Sequence, residues 1–182
     1  MIETIRLLLR LPEAADAQAL TEIHLDPEVL AQGLVTLIDH GVVTSIPPPA
    51  GLDVALRNIE RMRRHWNEYG YGQWSIVEKN TGDVIGCVGF YHRNQHPEIE
   101  IGWIIRRAHW GNGLATEAAR AAIEWSWRAT SINHIISLIR PTDARSMRVA
   151  EKSGQRFERE GVEPISGENR RVFGVHRPSS AR

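Results

Sequence analysis

A glycine loop set between a strand and a helix governs much of what this chain can become. Ile99 to Ile105 alternates in the manner of a strand, residues 110–113 read Trp110-Gly111-Asn112-Gly113, and Leu114 to Arg128 is an alanine-rich run suited to a helix. Glycine lets the backbone come close to a ligand, and the first N–H groups of a helix have no carbonyl partners of their own. Together with the helix dipole they form a ready anion site, for which a pyrophosphate is the expected guest. A nucleotide P-loop would end in Gly-Lys-Ser/Thr, which is absent here. A dinucleotide fingerprint would place a third small residue where Thr116 stands, in the first βαβ unit of a larger fold. This loop instead follows a meander of strands, with about 70 residues remaining. A tight turn without a ligand is the third reading.

The rest of the chain is read around that loop. Ile5 to Leu11 is expected as a first strand and residues 12–25 as a helix broken by Asp26-Pro27. Residues 28–46 are apolar without a clean period, and Pro47-Pro48-Pro49 is a stiff connector. Leu52 to Tyr69 is a long helix, with Leu56, Ile59, Met62 and Trp66 at helical spacing. The period then changes: Gln73 to Lys79 and Val84 to Tyr91 form a hairpin around Asn80-Thr81-Gly82-Asp83, and Ile99 to Ile105 continues the meander after a polar turn over 92–97. Beyond the glycine loop and its helix come a strand over His134 to Arg140, a helix over Ala144 to Lys152 stopped by Gly154, and a closing hairpin of Phe157 to Val162 with Arg171 to His176. The expectation is one α/β domain of the α+β type over residues 1–182, with a core of about 4–177 and a tail at 178–182. Its sheet is mainly antiparallel, with a βαβ unit in the second half.

Composition narrows the function classes. Lys plus Arg and Asp plus Glu are both 22, which argues against a partner chosen by bulk charge, nucleic acid included. No apolar run approaches the roughly 20 residues needed to span a bilayer, and the N-terminus lacks a basic segment followed by an apolar signal core. Cys87 is the single cysteine, so no intrachain disulfide can form. A soluble protein of the reducing cytoplasm, with no membrane partner, is the expectation.

At the glycine loop, Trp110-Gly111-Asn112-Gly113-Leu114-Ala115-Thr116-Glu117-Ala118 resembles the coenzyme A signature of the GNAT superfamily, Gln/Arg-x-x-Gly-x-Gly/Ala. The signature ends here on Gly113 and Ala115, with Trp110 where Gln or Arg often stands. The form is similar to the branch that includes the enzymes acetylating ribosomal-protein N-termini. A second stretch, Asp143 to Gly154, is similar to that branch's Asn-x-x-Ser-x-x-Val-x-Glu-Lys-x-Gly, and Arg6-Leu7-Leu8-Leu9-Arg10 resembles its usual first strand. The sequence departs from the pattern at Asp143, where Asn is usual, and at Gln155, where an apolar residue is common. The resemblance implies an acetyl-CoA-dependent N-acetyltransferase, working by direct attack of a primary amine in a ternary complex, without a metal. It implies coenzyme contacts at Trp110, Gly111, Asn112, Gly113, Leu114, Ala115, Thr116 and Asp143, and at the backbone around Ile104 if that strand splays from its neighbour. The acceptor is a peptide N-terminus or a small amine, and the protein a monomer or homodimer. A catalytically silent acyl-CoA-binding module remains the rival outside enzymology.

Acetyl transfer needs a proton acceptor for the amine, donors for the developing oxyanion and a proton for the leaving thiolate. Along the third meander strand Ile99, Ile101, Trp103 and Ile105 share one face, and Glu98, Glu100, Gly102 and Ile104 the other. Glu100 is the favoured base, beside room left by the absent side chain of Gly102, with Glu98 in reserve. Relatives often carry the base on this strand. Ser146 matches a position at which related enzymes hold a hydroxyl near the leaving sulfur, and its other reading is a local backbone contact in a first helical turn. Asp143 is also a good N-cap for the helix at Ala144. Cys87 lies in an apolar strand and reads as a buried structural thiol rather than a nucleophile. His92 and His96 do not read as a zinc pair. Acceptor choice is expected to map to residues 30–70 and to the loop from Glu163 to Asn169.

Overall fold

The computed structural model describes residues 1–32, 36–39, 42–45, 52–92, 98–163 and 167–179. Its strands are β1 (Ile2–Glu3), β2 (Leu7–Arg10), β3 (Thr36–Asp39), β4 (Val42–Ser45), β5 (Gln73–Glu78), β6 (Val84–Tyr91), β7 (Ile99–Ile105), β8 (His134–Ile139), β9 (Arg156–Val162) and β10 (Asn169–His176). Its helices are α1 (Ala17–Leu25), α2 (Pro27–Gln32), α3 (Leu52–Tyr69), α4 (Leu114–Ala129) and α5 (Ala144–Lys152). Eight strands make one sheet in the order β1-β2-β5-β6-β7-β8-β10-β9, and β3 with β4 forms a separate hairpin. Among the described residues only β7 and β8 run parallel in the large sheet, joined through the glycine loop and α4. The α/β class, the meander and the βαβ unit are therefore as the sequence led us to expect.

Two layers flank the sheet. On one face Ala118, Ala119 and Ala122 of α4 are fully buried, and Leu114, Ala118 and Ala122 pack in one cluster with Ile101, Ile105 and Ile135. Small alanines bring this helix close to the sheet while the strands supply the bulk, the interdigitation that a dense core needs. On the other face Ala17 and Leu20 of α1 meet Ala55 and Ile59 of α3 over Cys87, with Ile104 packed beside them. The alternation along β7 thus divides as its spacing predicts.

The N-terminal half differs from expectation in detail. The first strand is shorter than Ile5 to Leu11, and Ile5 is 91% exposed. The helix expected from residue 12 begins as a 3-10 turn at Ala14–Asp16 and becomes α-helical at Ala17. Asp16 explains this: its buried carboxylate takes Arg10 Nη2 at 2.6 Å, Ser75 Oγ at 2.6 Å and the Glu13 N–H at 2.9 Å, tying the turn to β2 and β5. Asp26-Pro27 ends one helix and starts another. Asp26 is extended, and its carboxylate accepts the Glu28 N–H at 2.9 Å, while Pro27 sits at the first helical position, where a missing N–H costs nothing. The stretch without a clean period holds α2 and the β3–β4 hairpin. Trp125 and Trp127 of α4 face apart, Trp125 against Trp66 and Trp74, Trp127 beneath Arg177.

Candidate active site

One cleft of about 720 Å³ runs from the glycine loop to the space between α1 and α3. Its passage through the sheet exists because β7 and β8 pair at only two registers, Ile99 with Ile135 and Glu100 with Ile136. The Ile101 carbonyl, which a continued ladder would offer to a β8 amide, instead accepts Ser137 Oγ at 3.0 Å. Beyond that point the strands splay. On the opposite edge β7 stays paired with β6 through Ile105, and the Arg106 N–H continues to Ile85 O at 2.7 Å. Antiparallel bonding alternates, so Ile104, like Arg106, directs its N–H at β6, and the amides facing the gap are those of Trp103 and Ile105. Of the donors expected around Ile104, its neighbours are the ones turned to the cleft, while Ile104 lines it.

At the glycine-loop end Gly111 and Gly113 hold left-handed backbone with φ of 81° and 75°, a conformation that other residues adopt at a cost. A Cβ on Gly111 would meet nothing within 4 Å, so that flank of the loop is open. Gly113 is the N-cap of α4 and provides no side-chain cap, so the first-turn N–H groups keep their capacity for an anion. Gly111, Gly113, Leu114, Ala115 and Thr116 line the cleft, and Asn112 does not. The Asn112 carbonyl is turned outward, accepting Arg6 Nη1 at 2.8 Å. Trp110 lines the cleft and donates its indole N–H to the Ile105 carbonyl at 2.7 Å, closing the free end of β7. Arg145 lies over its ring at 4.5 Å.

Helix α5 forms the facing wall. Asp143 caps it, accepting the Ser146 N–H at 3.0 Å, and is itself buried on the cleft lining beside Ser146. The cap role is thus present, and the residue also lines the cleft that the glycine loop opens into. Arg145, Arg148 and Lys152 line the same cleft. Their spacing puts the three cations on one helix face, opposite the uncapped amides, and such a set suits a polyphosphate. The sequence reading passed over this trio, although its helical spacing was there to be read.

At the other end Glu100 lines the cleft, paired across the sheet with Tyr91. The room expected over Gly102 is filled: a Cβ there would lie 2.9 Å from the Tyr91 ring. Gln73 donates to the Tyr91 hydroxyl. Glu98 shares Glu100's strand face but stays out of the cleft, held by Arg159 at 2.6 Å and by His134 at 3.6 Å. Leu20, Val29, Ala55, Ile59 and Met62 give this end apolar walls, with His24 and Asn58 among them. His24 is buried, with Nδ1 on the Leu20 carbonyl at 2.5 Å, and burial lowers its pKa; the imidazole is neutral near pH 7. Glu163, also buried, lines the cleft from the end of β9. Cys87 is buried outside it, and burial pushes its thiol up to about 12. His92 stacks on Tyr69, and His96 lies outside the described residues.

Residues 6–156 match the acetyltransferase (GNAT) domain family. The chain belongs to that family and is an N-acetyltransferase. It is 29% identical over 160 residues to an uncharacterized N-acetyltransferase, p20, of Bacillus licheniformis, covering 87% of this chain and 83% of the relative. It is 36% identical over 110 residues to the uncharacterized protein YkkB of Bacillus subtilis, spanning 55% of this chain and 64%, a little under two thirds, of YkkB. Among solved structures, an acetyltransferase from Agrobacterium tumefaciens superposes with a TM-score of 0.75 at 26% identity, covering 96% of this chain and 93% of that one. RimL, a ribosomal L7/L12 α-N-protein acetyltransferase solved with coenzyme A, superposes at 0.77 with 16% identity over 95% of each chain, a likeness of fold. No helix among the described residues is long and apolar enough to cross a membrane.

Proposed function

We propose that this chain transfers the acetyl group of acetyl-CoA directly to a primary amine, with Glu100 accepting the amine's proton. The observation that carries the proposal is the single cleft joining the uncapped α4 N-terminus to Glu100 through the gap between β7 and β8. The residues present suit coenzyme A. Gly111 and Gly113 with the first amides of α4 would take the pyrophosphate, Arg145, Arg148 and Lys152 would balance its charge, and the gap would admit the pantetheine arm. Acetyl-CoA supplies the acetyl group as an activated thioester.

The chain's own residues then do three things. Glu100 takes a proton from the incoming ammonium, directly or through a water, which restores the amine lone pair. The Trp103 and Ile105 amides, turned to the gap, offer donors where negative charge develops on the acyl oxygen. Ser146, at the start of α5, lines the same cleft and would return a proton to the leaving thiolate. A thiol held near 12 and outside the cleft makes a poor nucleophile, which supports direct transfer over an acyl-enzyme. Among acceptors, a protein N-terminus is favoured by the motif resemblance, and a compact amine with an apolar body by the walls beside Glu100. Coenzyme A release, measured over a panel of small amines and N-terminal peptides, tests the proposal. Release with none of them above the rate of hydrolysis, in protein that binds coenzyme A, would leave a silent acyl-CoA-binding module.

A further inference from the structure

The glycine loop is braced from outside the cleft by the N-terminal segment. Arg6 and Glu117 stand 111 residues apart in sequence, yet Arg6 Nε donates to Glu117 Oε2 at 2.7 Å and the Arg6 backbone N–H to Oε1 at 2.9 Å. Arg6 Nη2 lies 2.6 Å from Oε2, and Thr4 Oγ1 donates to Oε1 at 2.6 Å. Through its third nitrogen, Nη1, Arg6 holds the Asn112 carbonyl at 2.8 Å. One guanidinium therefore joins the first turn of α4 to the peptide just before it.

That joint has a direction. In a planar trans peptide the carbonyl and the following N–H point opposite ways. Drawing the Asn112 carbonyl outward to Arg6 turns the Gly113 N–H the other way, and it is Gly113 that lines the cleft while Asn112 does not. Charge matters as well. Glu117 puts a carboxylate in the first turn of α4, beside the position where a diphosphate would bind, and an unpaired carboxylate there would repel it. Burial alone would raise the Glu117 pKa, but its bonds from Thr4 and Arg6 outweigh burial and keep it low, so it is ionised. Arg6 cancels that charge. Neither side chain lines the cleft, so both act through the loop.

We propose that Arg6 and Glu117 are positioning residues that set the glycine loop to receive the diphosphate of coenzyme A, an inference that rests on the coenzyme reading above. The test is calorimetric titration with coenzyme A of the wild-type chain, Arg6→Ala, Arg6→Lys, Glu117→Ala and the Arg6→Ala/Glu117→Ala pair, with the Tm of each. Arg6→Ala should weaken coenzyme A binding about tenfold or more, since it both frees the loop and bares Glu117. Arg6→Lys keeps the charge and the fold but cannot bridge Glu117 and Asn112 together, and should recover only part of the affinity. The double variant should bind no worse than Arg6→Ala, because removing Glu117 relieves the repulsion. Variants that lose Tm yet bind as wild type would reduce the pair to a structural tie. Full affinity in Arg6→Lys would make Arg6 a plain charge, and either result overturns the proposal. A wild-type chain that does not bind coenzyme A would instead sink the coenzyme reading itself.

Discussion

Replacing Glu100 with Gln preserves the shape of the side chain and removes its basicity, which makes it the sharpest probe of the chemistry. Glu100 lines one end of the cleft, while the uncapped amides and the cations of α5 gather at the other. The substitution should therefore reach the proton transfer and leave coenzyme binding alone. A positioned base contributes roughly 10²–10⁴-fold, or about 2.7–5.4 kcal/mol of barrier at 1.36 kcal/mol per tenfold. The expected result is a kcat loss in that range at pH 7, with KM for acetyl-CoA within about twofold of wild type. Raising the pH should recover part of the loss, because more of the acceptor amine is then already neutral. Glu98→Gln is the control on the same strand face. Glu98 is bound to Arg159 and His134 outside the cleft, so its loss should cost under about 1 kcal/mol of stability and no kcat. The assay is initial-rate thiol release over pH 6–9 with the best acceptor of the panel. Full kcat in the Glu100 variant at every pH would refute the assignment, and Glu163, a buried carboxylate on the cleft lining, would be the next group to test.

Gly113→Val should abolish measurable acetyl-CoA binding while the fold survives: position 113 is left-handed, and an added Cβ meets only Arg6 at 3.7 Å, so the cost is backbone strain of about 1–2 kcal/mol and a misshapen loop. Calorimetry giving wild-type affinity would remove the pyrophosphate cradle. Asp143→Asn should keep Tm, since Asn caps a helix as well as Asp, and raise coenzyme A affinity a few-fold by removing a negative charge from that end of the cleft; a fall in Tm with unchanged affinity would confine the residue to its cap. The Asp16 carboxyl is pushed up by burial but pulled further down by Arg10, Ser75 and the Glu13 N–H, so its pKa is lowered on folding. Its contribution is therefore present above the unfolded value near 3.9 and lost as pH falls through the folded one; Asp16→Asn should flatten the acid limb of the stability curve, and an unchanged limb would count against it. Cys87 should not react with a disulfide reagent at pH 8 until the chain is unfolded, because the buried thiol ionises only near 12; prompt labelling of native protein would contradict its burial.

Local signals carried the fold reading far. The change from helical to alternating period near Gln73 and the strand–glycine–helix order after Ile99 each depend on neighbours in sequence, and both elements stand where those neighbours put them. Asp26-Pro27 was legible only by half, since the same dipeptide that stops α1 also caps and opens α2. What the sequence withheld was set by distant pairing. Glu98 and Glu100 are equivalent by spacing, and Arg159, arriving 61 residues after Glu98, is what separates them. The space over Gly102 looked open because a strand read alone has no cross-strand neighbour. Tyr91, held by Gln73, occupies it from β6. The chemical consequence falls on the acceptor: the surface beside Glu100 is an aromatic ring rather than a hollow. With Glu100 as the proposed base, an amine would approach the carboxylate along the edge of Tyr91, from the side walled by α1 and α3, and the size limit on the acceptor would be set there and not by the missing side chain of Gly102.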